Sequence, residues 1–158
     1  MTKKIYAFLI GAIVGAAILA IAAYQLLPGM MIMEDKSQYG FEQTIEEIER
    51  SAKENNWKTP AVHHLHKAVA GAGYNVLPAA VIELCQPKHA GKILANPDNR
   101  VVTSLMPCRV AVYEMPNGDV IISRMNSGLV ASVFGGQIAK VMKTASRETE
   151  ALLADSIQ

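Results

Sequence analysis

Val81-Ile82-Glu83-Leu84-Cys85-Gln86-Pro87-Lys88-His89-Ala90 and, after a polar turn, Met106-Pro107-Cys108-Arg109-Val110-Ala111-Val112-Tyr113 decide how this chain is read. The first segment is a Val- and Ile-rich strand running up to Cys85, starting after Pro78. Pro87 suits the first turn of a helix, Ala90, Ile93 and Leu94 give that helix an apolar side, and Asn96-Pro97 ends it. In the second segment Pro107 interrupts pairing, and the stretches 108–115 and 120–125 form a hairpin through Pro116-Asn117-Gly118-Asp119. A two-residue turn at Asn117-Gly118 sets Val112 opposite Ser123 and Ala111 opposite Arg124. One face then carries Cys108, Val110, Val112, Ile121 and Met125 and is the better core candidate. The other carries Arg109, Tyr113, Val120, Ile122 and Arg124 and reads as a partner surface.

Upstream, Phe41, Ile45, Ile48 and Ala52 recur at helical spacing with charged residues between them, the pattern of an amphipathic helix on a core. Pro60 limits residues 57–62 to an edge strand at best. Val62, Leu65 and Val69 return to helical spacing until Gly71 and Gly73, which places His63 and His66 together on the opposite face. Downstream, Ser127 caps a last helix with Val130, Phe134, Ile138, Val141 and Ala145 as its buried stripe, kinked at Gly135-Gly136, and the tail from Thr144 ends free. Helices mixed with short hairpin-linked strands predict a two-layer α+β domain, an antiparallel or mixed sheet with helices packed on one face.

The two cysteine segments resemble the DUF302 family. The likeness is carried by Glu83-Leu84-Cys85-Gln86-Pro87 with Ala90 following, and by Leu105-Met106-Pro107-Cys108-Arg109-Val110-Ala111-Val112-Tyr113. It extends from about Phe41 to the last helix. Family members commonly carry Asn at the position of Gln86 and Leu at that of Met106, and Gln cannot make the short turn that Asn makes. Near His64 they often carry an acidic residue. The resemblance implies a compact α+β domain, often homodimeric, sometimes secreted or membrane-anchored, and it supplies no catalytic residues.

At the other end, Lys3 and Lys4 precede 23 residues without a charge, from Ile5 to Leu27, where roughly 20 suffice to cross the hydrocarbon layer as a helix. The run is long for a cleaved secretory signal, so an anchor is favoured, with residues 1–29 as anchor, 30–39 as linker and 40–158 as the domain. The two lysines ahead of the span put the N-terminus in the cytoplasm and the domain in the periplasm, at a bacterial inner membrane. Gly11 and Gly15, with Ala7 before them, form a stripe of small residues of the kind that pairs helices in membranes. All 14 acidic residues and 13 of the 15 basic ones follow Met33, and that balance removes the electrostatic case for nucleic acid.

The chemistry-bearing candidates are few. Cys85 and Cys108 each end a strand, with Lys88, His89 and Arg109 beside them. In an oxidising compartment they are a structural disulfide, a buried pair, a metal or haem site, or a redox pair, and without a Cys-x-x-Cys spacing a thioredoxin-type mechanism has no support. His63 and His66 at helical spacing are a two-ligand candidate for copper, zinc or haem iron, short of the four that a closed zinc site needs. Met30, Met31 and Met33 are soft donors too, but interfacial packing suits their position better. No hydrolytic triad, carboxylate pair or phosphate-cradling loop is present. The leading expectation is a non-enzymatic accessory or ligand-binding module of an envelope redox or metal-handling system, working as a homodimer or in a membrane-protein complex. The alternatives are a thiol oxidoreductase using Cys85 and Cys108, and a structural subunit with Tyr113 and Arg124 at its interface.

Overall fold

A computed structural model describes residues 2–158. Met1 and the side chains of Thr2, Lys3, Lys4 and Ala7 lie outside the described set, and with them the charged start and the first member of the small-residue stripe. Helix α1 (Thr2–Met31) is followed at once by β1 (Ile32–Lys36), then α2 (Phe41–Glu54), β2 (Val62–His64), α3 (Leu65–Ala70) and β3 (Ala79–Leu84). After α4 (Pro87–Leu94) comes a 3-10 segment (Pro97–Leu105), then β4 (Cys108–Glu114), β5 (Val120–Met125), α5 (Ser127–Ala131) and α6 (Gly136–Leu153), closed by a short 3-10 turn (Ala154–Ser156).

The five strands form one antiparallel sheet in the order β1-β5-β4-β3-β2. Ala80, Ile82, Leu84, Val110, Val112, Val120 and Ile122 share one face and are buried under α2 and α6, which contribute Phe41, Ile45, Ile48, Ala52, Ala145 and Leu152. The opposite face carries Val81, Ala111, Tyr113, Ile121 and Met125, all partly exposed, and the exposed Arg109. A smaller apolar cluster of Ile93, Val102, Ile138 and Val141 fills the space between α4, the long 3-10 segment and α6. The α+β expectation holds in its antiparallel form.

Four local expectations do not hold. Residues 30–39 are no linker: α1 continues through Pro28 to Met31, and Ile32–Lys36 pairs with β5. The hairpin is one residue out of the expected register, pairing Val112 with Ile122 and Val110 with Arg124. Its loop is a tight turn over Met115-Pro116-Asn117-Gly118 followed by Gly118 at φ 84°, so that Met115 N–H donates to Asp119. That extra residue turns every side chain of β5 over. Arg124 therefore leaves the open face and is buried at 6% exposure, while Ile121 and Met125 come out. The helix expected from Val62 begins only at Leu65: Val62 and His63 lie on β2, and Leu65 and Val69 are exposed on the short α3. Finally, the last helix is two, with Phe134 exposed between them, and the tail is not free, because Leu152 and Leu153 are core residues and Ile157 bridges to Ser37.

Candidate functional site

The cysteines converge because β3 and β4 are neighbours. Leu84 pairs with Cys108 across the ladder, and Cys85 is the next residue along. Cys85 is held by a two-way backbone bridge to Lys58, both N–H···O bonds at 2.8 Å. The chain then enters α4, where Gln86 does serve as the cap, its side-chain oxygen accepting Lys88 N–H at 3.1 Å, with Pro87 at the first helical position. On the other strand, a cis peptide joins Met106 to Pro107 directly before Cys108.

Both thiols are free, and both line one cavity of about 60 Å3 at the seam between the main core and the smaller cluster. Its walls are Trp57, Leu84, Ala90, Ile93, Val102, Leu105, Pro107, Val141 and Ala145, with Met106 and Met142 adding thioethers, Gln86 and Ser127 at its margin, and His89 entering from α4. Burial pushes the Cys108 thiol above its ordinary pKa, and the nearby Cys85 adds to the shift. The side chain of His89 is 12% exposed and its Nε2 lies 2.8 Å from Glu148 on α6. Its Nδ1 is buried without a hydrogen-bond partner, and a buried polar atom left unpaired costs about 1–3 kcal/mol.

A family profile described as "Domain of unknown function DUF302" matches residues 33–156, which takes in both cysteine segments and all of the sheet but Ile32. The chain belongs to the DUF302 family. The crystal structure of an uncharacterized conserved DUF302 protein from Bacillus stearothermophilus superimposes with a TM-score of 0.72 at 20% identity, over 80% of this chain and 98% of that one. At that identity the likeness establishes a shared fold. No curated protein matches the chain.

The other predicted residues of this DUF302 protein are scattered. His63 points to the open face, 3.2 Å from Glu83, whereas His66 Nδ1 is 2.9 Å from the Ala79 carbonyl and within 3.1 Å of its N–H, so the two do not form the metal pair expected on one helix. Among the described residues no three His, Cys, Asp or Glu side chains stand close enough to hold one metal ion. Arg109 is exposed at the start of β4. Tyr113 donates its hydroxyl to Glu34 at 2.6 Å on the open face, where burial and then the Glu34 carboxylate push its pKa up to about 12. Arg124 is a structural residue: its guanidinium binds Asp35 on β1 and Glu150 on α6. Burial pulls its pKa down, and the hydrogen bonds and charges of Glu150 and Asp35 outweigh that, leaving it raised. No atom lies within 4 Å of a Cβ built on Gly11 or Gly15, so that side of α1 is open.

A second cavity of about 260 Å3 shares Leu105, Pro107, Cys108 and Ser127 with the first and adds Ser104, Ser146 and Thr149, whose buried hydroxyl has no partner. Met142, Glu148 and Thr149 were missed in the sequence. Met142 follows Val141 in the buried stripe of α6, and extending that stripe to a wider apolar face would have found it.

Proposed function

We propose that this DUF302 domain is a non-enzymatic binding module of an envelope redox or metal-handling system, held at a bacterial inner membrane by α1 with the domain in the periplasm, and that its ligand sits between Cys85 and Cys108. One observation carries the reading: two free thiols line a single, mostly apolar cavity, with His89, whose buried Nδ1 has no hydrogen-bond partner, also in its wall. A cavity kept for stability alone would be filled, since each missing methylene in a core is felt. Membrane attachment is supported by residues 8–31, 24 residues of mean hydropathy 2.2 with none of the span buried against the rest of the chain. The paired lysines at its start support the orientation. The open Gly11 and Gly15 side gives α1 a surface for pairing with a second copy or another membrane subunit.

Haem is a poor fit to this site, because pockets for ligands of that size run to about 300–1,000 Å3, against about 60 Å3 here. Nucleophilic thiol chemistry is disfavoured at Cys108, since burial keeps its thiol protonated. The test is the mass of the full chain, native and then denatured, isolated from membranes without reductant, alongside alkylation of the native protein. A mass that falls on denaturation, with thiols protected until the ligand leaves, is the expected result. A ligand-free protein whose thiols react at once sinks the proposal, and an intact Cys85–Cys108 disulfide makes the pair structural.

A further inference from the structure

Four sulfur-bearing residues line the cavity, contributed by four parts of the fold. Cys85 directly follows β3, Met106 follows the long 3-10 segment, Cys108 opens β4 and Met142 lies on α6. No carboxylate is in the lining, which removes the oxygen ligands that magnesium, calcium and manganese require. Structural zinc takes four nitrogen or sulfur ligands, and among the described residues no three His, Cys, Asp or Glu side chains stand close enough to hold one ion. Soft monovalent ions are less demanding in number and favour thiolate and thioether sulfur. Size is compatible: a single water needs about 10–15 Å3 of such volume, so about 60 Å3 has room for an ion and its ligand atoms.

Given that the cavity is the binding site, the geometry points to one copper(I) ion held by the Cys85 and Cys108 sulfurs, with Met106 and Met142 as uncharged donors beside them. No electron moves. The ion enters and stays as Cu+, and each thiol that becomes a ligand exchanges its S–H bond for a Cu–S bond and releases its proton to solvent. His89, its Nε2 2.8 Å from Glu148, is not counted as a ligand, because it and the two cysteines do not stand close enough to hold one ion together. The other methionine group, Met30, Met31 and Met33, has no cysteine near it in sequence, and Met30 and Met31 are exposed.

The probe is Cu(I) itself, supplied anaerobically from a chromogenic chelator to the reduced full chain in detergent, with Zn(II) in parallel. One equivalent of copper should be withdrawn from the chelator and no zinc retained. Cys85→Ser and Cys108→Ser should each lose that copper, and the joint Met106→Leu, Met142→Leu variant should hold it measurably more weakly with an unchanged circular dichroism spectrum. Replacing Met30, Met31 and Met33 with Leu should change nothing. Copper that survives both cysteine substitutions, or that follows the Met30 group, overturns the assignment. So does failure to bind copper; if the native mass then still shows a ligand protecting the thiols, only the metal is wrong, and if the thiols react freely with no ligand, the binding-module reading falls with it.

Discussion

Two places on the helix-covered side of the sheet bury polar groups, and they are treated in opposite ways. At Arg124 every need is met: the guanidinium reaches Glu150 through Nε at 3.1 Å and takes both Glu150 and Asp35 as ion-pair partners. At the thiol cavity part of the need is left open: the two cysteines form no disulfide and the His89 Nδ1 is unpaired. The first arrangement ties β1, β5 and α6 together. The second leaves a buried nitrogen unpaired even though His89 also joins α4 to Glu148 on α6, which is how a site that awaits a ligand differs from one that completes a fold.

The largest expected effect comes from breaking the satisfied site. Arg124→Ala removes the cation shared by two carboxylates, and breaking a buried pair costs about 3–5 kcal/mol. Asp35 and Glu150 stay 39% and 35% exposed and can rehydrate, so a loss of about 2–3 kcal/mol in urea unfolding is expected. A loss below about 0.5 kcal/mol, the level of an ordinary surface change, would erase the contrast. Filling the unsatisfied site should do the reverse. Cys108→Val adds apolar volume beside an existing void and should stabilise the ligand-free protein by about 0.5–1 kcal/mol while removing ligand binding, read by thermal melting and by the mass experiment. Destabilisation with unchanged binding would mean that the void is not the site.

A smaller effect separates the two sites by pH. The folded state holds the Cys108 proton more tightly than the unfolded chain does, because of burial first and Cys85 second. The stability this supplies is fully present below the ordinary thiol pKa of 9.0 and is lost as pH rises through the raised folded value. Ligand-free wild type should therefore lose stability faster above pH 9 than Cys108→Ala. Parallel curves would mean that the thiol is not buried in solution. The smallest effect is on the open face: Tyr113→Phe deletes the bond to Glu34 and should cost under about 1 kcal/mol in the same unfolding assay. A larger loss would show that this face is covered by something.

The contrast between the sites also marks what the sequence made legible. Cys85 and Cys108 could be picked out by inspection, and the Pro87 helix start and the stripe of α2 followed from local rules. Arg124 was placed on the wrong face because Asn117-Gly118 reads as a two-residue turn, whereas the Pro116-Asn117 turn with Gly118 behind it adds one residue. Strand β1 was hidden because Ile32–Lys36 follows an apolar run without a break, and its alternation appears only beside β5. The histidines were grouped by a helical spacing that strand pairing overrides at Val62–His64. In each case a long-range partner decided the outcome.

The missing linker has its own consequence. Met31 closes a 30-residue helix and Ile32 opens a strand, while Asn126 N–H and its side-chain amide hold the Met31 and Met30 carbonyls at 2.7 and 3.2 Å. A domain on a flexible tether points everywhere and meets its neighbours by chance. Here the helix works as an axle: rotating α1 about its own axis swings the sheet with it, so whichever neighbour grips α1 also sets the compass bearing of the thiol cavity.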